Sequence, residues 1–409
     1  MKSFMKKKTK FRKGNTYSSE KIIMQDKKTG ITIWQMTSYP ANHSNLYYTK
    51  TSFTPDEKNI IILSCRSGYS NLYSISLESG KILQLTDHKE DIAQLSPCIS
   101  PDGKLVYYTL GNSIRSVDLL TLKENTLIKF PDYYPGTLSI NCEGKFLVTK
   151  LAPGIANVRG KIKQVVNYFK TPLKKEASIL NIIHNLLQAV LSRFNSNKKY
   201  YVVSISTESS PTINHIKELD AGGITLLSPD NKQILCHKSE RELWCCDLAG
   251  ENFRHLYGYG TGKWLTHPNW LSNNEVVVAD WPNALIAINL NGKVREISKF
   301  NFRHPTIRPD GYLIACDTTL PDTGLYGINP ANGEKRLLFC PESAVQKEWA
   351  KSSPPKRLSF LPFFIKDKYG CEWHHTHQSF SPDGTKIILN STRGGKYSQV
   401  FIALLEVKE

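Results

Sequence analysis

Nine cysteines occur in the 409-residue sequence, yet no two stand in a Cys-x-x-Cys pair. That removes the spacing on which structural zinc sites and dithiol redox motifs are built. Cys65, Cys236, Cys246 and Cys316 instead fall inside apolar, strand-like runs, as buried free thiols do, so a reducing compartment is expected. No apolar run reaches the ~20 residues that a membrane-spanning helix needs. Lys2, Lys6, Lys7, Lys8, Lys10, Arg12 and Lys13 crowd the start, but no apolar stretch follows them. A signal peptide is therefore not expected, and a cytoplasmic protein is. Acidic residues are also scarce: 36 against 53 lysines and arginines, a net charge of +17. This favours an anionic partner such as a polyuronide or an anionic membrane surface; a nucleic acid is the less expected one. Part of the excess lies in residues 1–20, read as a solvated, disordered basic tail. Hydrophobic content of 40% with 10% aromatics excludes disorder for most of the chain.

What the sequence does contain is a repeat. An apolar strand, a Pro-Asp-Gly-like turn and further short strands recur, with turns at Pro55-Asp56-Glu57, Pro101-Asp102-Gly103, Cys142-Glu143-Gly144, Pro229-Asp230-Asn231, Ser272-Asn273-Asn274, Pro309-Asp310-Gly311 and Pro382-Asp383-Gly384. The turn-to-turn spacings are 46, 41, 87, 44, 36 and 73 residues. Four short strands in roughly 40–45 residues make a propeller blade, and the two long spacings read as insertions. The expectation is an all-β, seven-bladed β-propeller with a helical insertion, occupying residues 21–409 as one domain. Residues 21–37 are expected to supply the outer strand that completes the last blade and closes the ring.

The insertions are placed at residues 154–198 and 341–370. The first carries Ile179, Leu180, Ile182, Ile183, Leu186, Leu187, Val190, Leu191 and Phe194 at helical spacing, among several lysines. A helix packed over one propeller face is favoured; a basic amphipathic helix touching a membrane is the alternative. The second, with Pro354-Pro355-Lys356-Arg357, reads as a rim loop.

Histidines then fall into register. His304 lies five residues before Pro309, His377 five before Pro382 and His267 six before Asn273. Blades five, six and seven thus each place a histidine at the same point of the first strand, facing the mouth of the central channel. Glu372, His375 and His377 fall together just ahead of the last turn, and alternation along a strand would put both imidazoles on one side. The expected metal ligands are His304, His375, His377 and Glu372, a donor set suited to Mn, Fe, Ni or Zn. His267, on the neighbouring blade, is expected to act on a substrate as a general base with a pKa near the unperturbed ~6.5.

Several stretches carry a family resemblance: His43-Ser-Asn45-Leu-Tyr-Tyr48-Thr-Lys50, Cys236-His237, Thr266-His267-Pro-Asn-Trp270, the start of the blade holding His304, and Glu372-x-x-His375-x-His377. With these the chain resembles the oligogalacturonate lyases, seven-bladed propellers that cleave short pectin fragments by β-elimination. The resemblance implies Mn2+ at His304, His375 and His377, and His267 at the catalytic centre. It also implies that an oligogalacturonide meets His43, Lys50, His237 and Arg241. Three departures stand out. Glu372 occupies a position that is usually glutamine. Glu242 stands where an arginine precedes the blade-four tryptophan by two residues, with Arg241 one residue earlier. Gly222-Gly223-Ile224 replaces a family histidine before the blade-four turn. The competing expectation is a non-catalytic, TolB-like propeller serving as a protein-interaction platform, which would need no metal.

Overall fold

A computed structural model of the protein describes residues 11–153, 199–219, 223–238, 241–318, 322–342, 375–393 and 395–405. Among these residues there are seven antiparallel sheets and no helix. The expected insertion at 154–198, with its helix and its possible membrane contact, lies outside the described residues, as does most of the loop at 341–370.

Each Pro-Asp-Gly-like turn joins the first strand of a sheet to the second, and the seven sheets are the seven blades. Blade five is representative: Trp264–Trp270, Glu275–Trp281, Ala284–Asn289 and Val294–Lys299 pair in sequence order. The turns repeat one device. The hydroxyl of Thr54, Ser100, Ser228 or Ser381 donates to the aspartate two residues on, fixing the bend in four blades.

Both faces of every blade are buried, so the second strands read as continuous apolar runs rather than alternating ones. Alternation instead decides which neighbour a side chain meets. Val276 and Val278 pack on blade four, while Val277 packs on blade six. Seven apolar clusters result, one at each junction between consecutive blades, including the junction between blade seven and blade one.

Closure uses more of the N-terminus than expected. Two strands, Ile22–Gln25 and Thr32–Gln35, join the last blade outside Gln399–Leu404, so that blade has five strands. From residue 11 the basic tail is also structured. Thr16–Tyr17 pairs with Ile82–Gln84 of blade one, and Glu20 accepts hydrogen bonds from the buried Arg66 and from the backbone of Ser38 and Tyr39. A paired strand edge and a buried guanidinium outweigh the self-repulsion that a run of lysines suggests. Cys236, Cys246 and Cys316 are buried as expected, whereas Cys65, just past its strand, is only half-buried.

Candidate metal centre and active site

His267, His304 and His377 share an unusual backbone. Their φ angles are +55°, +45° and +44°, in the left-handed region that residues with a side chain seldom adopt. The cause is one extra residue in the first strand. In blade five Thr266 faces Ala279 and Asn269 faces Val277; in blade six Arg303 faces Asp317 and Thr306 faces Ala315. Blade seven repeats this, with the Asn390 N–H donating to the Thr376 carbonyl at 2.8 Å and Ser379 facing Ile388. Three residues oppose two each time, and the bulge turns a histidine into the channel mouth. Residues at such φ values each cost about 1–3 kcal/mol, a load kept where surrounding contacts enforce it.

Those contacts are present, and they run between blades. Gln378 Nε2 donates to the His304 carbonyl at 2.5 Å, Asn45 Nδ2 to the His377 carbonyl at 2.6 Å, and Asn269 Nδ2 to the Pro305 carbonyl at 3.1 Å. Tyr48, fully buried, reaches from blade one to donate to the Pro268 carbonyl at 2.8 Å. Its ring stands edge-on to His304 and His267, at 5.4 and 5.9 Å between centroids. Tyr47 meets His377 the same way at 5.0 Å.

The imidazoles converge. His304 lies 4.0 Å from His267 and 4.9 Å from both His375 and His377, centroid to centroid. His375 and His377 are 5.7 Å apart. Strand alternation is not what aligns them, because the last blade's first strand begins only at Ser379 and His377 is left-handed. The bulge does it instead.

Asp317, which sequence reasoning did not single out, lies beneath the cluster. Its carboxylate accepts from His304 Nδ1 at 2.9 and 3.0 Å. Burial alone would raise the Asp317 pKa, but His304, Arg303 and Thr376 outweigh it and hold the carboxyl below its usual value. Burial lowers His304, and Asp317 only partly offsets this. His304 is therefore neutral at pH 7, its proton sits on Nδ1 facing the carboxylate, and Nε2 carries a lone pair. That Nε2 is buried without a hydrogen-bond partner among the described residues. An oriented imidazole with a bare, inward nitrogen is what a metal ligand needs. His304, His375 and Asp317 also bring donor atoms within 4.8 Å of one another. These residues fit a divalent ion. Glu372, the fourth expected ligand, lies outside the described residues.

His267 departs from the expected pKa. Burial, then the charges of His304, Arg303, His375 and His377, press it well below 6.5. Its Nδ1 lies 2.9 Å from Thr266 Oγ1. The remaining expected residues are more dispersed. Lys50 is half-buried and donates to the Leu95 and Ser96 carbonyls at 3.1 and 3.2 Å; burial lowers its pKa to about 8. His237 is buried, a ring nitrogen 2.9 Å from the Leu265 carbonyl, two residues ahead of His267. His43 is buried with Nε2 3.2 Å from the Tyr39 carbonyl. Arg241 is exposed on the turn between the second and third strands of blade four.

A β-propeller with a cluster of histidines at one channel mouth defines a class of candidate metalloenzyme, and comparison with known proteins narrows it. A family model described as oligogalacturonate lyase matches residues 11–170. An oligogalacturonate lyase of Dickeya dadantii is 25% identical over 276 residues, 65% of this chain and 64% of that protein. An oligogalacturonide lyase of Pectobacterium atrosepticum is 24% identical over a 420-residue alignment, 94% of this chain and 96% of that protein. The solved structure of an oligogalacturonate lyase in complex with manganese superposes with a TM-score of 0.74 at 19% identity, covering 97% and 99% of the two chains. One from Vibrio parahaemolyticus gives 0.73 at 18% identity with the same coverage. Over residues 11–170 the chain matches the oligogalacturonate lyase model, and it is similar over most of its length to proteins of that name.

Proposed function

We propose that the protein is a metal-dependent polysaccharide lyase that cleaves short oligogalacturonides by β-elimination, leaving a 4,5-unsaturated uronide. The observation that carries this reading is the triple bulge, which gathers histidines of three blades around a His304 whose Nε2 is buried, bare and aimed inward. His304, His375 and His377 hold the ion, with Glu372 as the further donor; the relative solved with manganese supports Mn2+. When bound, a divalent ion supplies electrophilic stabilisation for negative charge that builds on a uronate carboxylate.

The C5 proton of a uronide is acidic because it lies next to that carboxylate. His267 takes it. Its lowered pKa keeps the ring neutral at pH 7, and with Nδ1–H donating to Thr266 Oγ1 the lone pair is presented on Nε2. The C5–H electron pair becomes the C4=C5 bond, the C4–O bond breaks, and the departing oxygen takes up a proton. Lys50, two of whose three donors rest on carbonyls, and Arg241 neutralise substrate carboxylates. His237 and His43 brace the first strands on either side. The eight described cysteines are unbridged thiols, which supports a reducing, cytoplasmic setting.

Two measurements test the reading. The purified protein should contain about one divalent ion per chain, and its absence after growth with manganese would sink the proposal. With trigalacturonate, the ultraviolet absorbance of the unsaturated product should rise, and His267→Ala should abolish that rise while keeping the metal. Equal rates for variant and wild type would remove His267 from the chemistry.

A further inference from the structure

One position recurs around the ring with a different chemistry in each blade. In the second strand, the residue three beyond the one paired next to the turn faces the following blade at the channel mouth. In blade six it is Asp317, in blade seven Asn390, in blade four His237 and in blade three Lys150. Three of the four are satisfied by protein. Asp317 binds His304, Asn390 Oδ1 accepts from the Asn45 N–H at 2.8 Å, and His237 meets the Leu265 carbonyl. Lys150 is not: it is 4% exposed, and its Nζ is buried with no hydrogen-bond partner among the described residues.

The surroundings keep that amine bare. Val148, two residues earlier on the same side, packs on blade four, so Lys150 faces blade four as well. What it faces is Gly223. A Cβ there would lie 3.3 Å from Lys150 Nζ and only 1.6 Å from the His237 carbonyl oxygen, and φ is +150°. No side chain can stand at 223, so none covers the amine from that position. Burial lowers the Lys150 pKa to about 8, which leaves it mostly protonated at pH 7. An ammonium buried without a counter-charge is strongly disfavoured unless an anion arrives to pair with it.

We propose that Lys150 is a substrate-binding residue whose ammonium pairs with a uronate carboxylate of the saccharide, on the blade-three side of the mouth. This rests on the lyase reading and adds a second anchor to it. The histidines of blades five to seven engage the sugar unit that reacts, and Lys150 holds the carboxylate of a neighbouring unit. Specificity for an oligomer over a single uronate follows.

Lys150→Met, near-isosteric and neutral, tests this by steady-state kinetics with trigalacturonate and with its methyl ester. KM for trigalacturonate should rise at least tenfold, with metal content unchanged and little change for the ester. An unchanged KM in a variant that still turns over overturns the Lys150 assignment and leaves the lyase reading intact. If wild type gives no unsaturated product, the lyase reading fails. Calorimetric titration with trigalacturonate then decides Lys150 separately, since binding by wild type that is lost in the variant supports it and equal or absent binding refutes it. Should Lys150→Met not fold, amine acylation of wild type read by mass spectrometry replaces it. Trigalacturonate should protect Lys150 from the reagent, and unchanged labelling would refute the assignment.

Discussion

A buried ammonium without a partner makes a claim about stability that needs no substrate. In the unfolded chain Lys150 titrates near its ordinary value of 10.5, and in the folded chain at about 8. At ~1.4 kcal/mol per pH unit, that difference sets about 3 kcal/mol against the folded state at neutral pH. The direction follows from proton counting. Between pH 8 and 10.5 the unfolded chain holds a proton that the folded chain has released, so stability rises with pH across that window. Below pH 8 the penalty is complete. Lys150→Met should therefore unfold at higher urea than wild type at pH 7, by up to about 3 kcal/mol, with the advantage shrinking as pH rises from 8 and disappearing only above 10.5. Trigalacturonate should narrow the gap at pH 7 by stabilising wild type and not the variant. Equal stability at pH 7, or a difference that ignores pH, would refute the picture of an uncompensated buried charge.

Other substitutions probe other parts of the molecule. Asp317→Asn should leave the fold in place but free the His304 ring, lowering manganese affinity by about 10- to 100-fold in a calorimetric titration. Gly223→Ala should lower stability by well over about 1 kcal/mol in urea, because its Cβ would overlap the His237 carbonyl and force the two strands apart. Glu20→Gln should lower it by about 2 kcal/mol, less than the ~3–5 for a fully buried pair because Glu20 keeps some exposure. Glu372→Gln should keep the metal and maintain or raise turnover of an anionic substrate. A variant that loses the ion would instead make the carboxylate indispensable.

The turn chemistry made the blades legible, because Pro-Asp-Gly recurs at fixed places and strands need little else to be counted. The alignment of His267, His304 and His377 was legible for the same reason. Their conformation was not. Two are followed by proline and one by glutamine, so no shared dipeptide announces the bulge, and the backbone at all three depends on side chains from other blades. Asp317 was hidden because Ile314–Thr318 reads as an ordinary buried strand, and only pairing with the bulged strand reveals which of its residues faces the site. Tyr48 was part of a recognised stretch, but its reach to Pro268, 220 residues away, has no local signature. The N-terminal prediction failed differently. Lysine content says nothing about Glu20, whose partner Arg66 is 46 residues further on.

The way the ring closes bears on how the protein is made. As the chain emerges from its N-terminus, Ile22–Gln25 and Thr32–Gln35 have no sheet to join until Gln399–Leu404 exists. Thr37 and Gln399, bonded at 2.7 Å, are 362 residues apart. Such a loop adds to the entropy of closure and slows folding of a chain already rich in distant contacts. The blade completed last is also the one that carries His375 and His377, and Asn45 can clamp the His377 carbonyl only once blade one has met blade seven. Site assembly and ring closure are thus a single late event. An ion that bound only the assembled histidines would select finished rings from unfinished ones, and its supply during synthesis would become a determinant of folding yield.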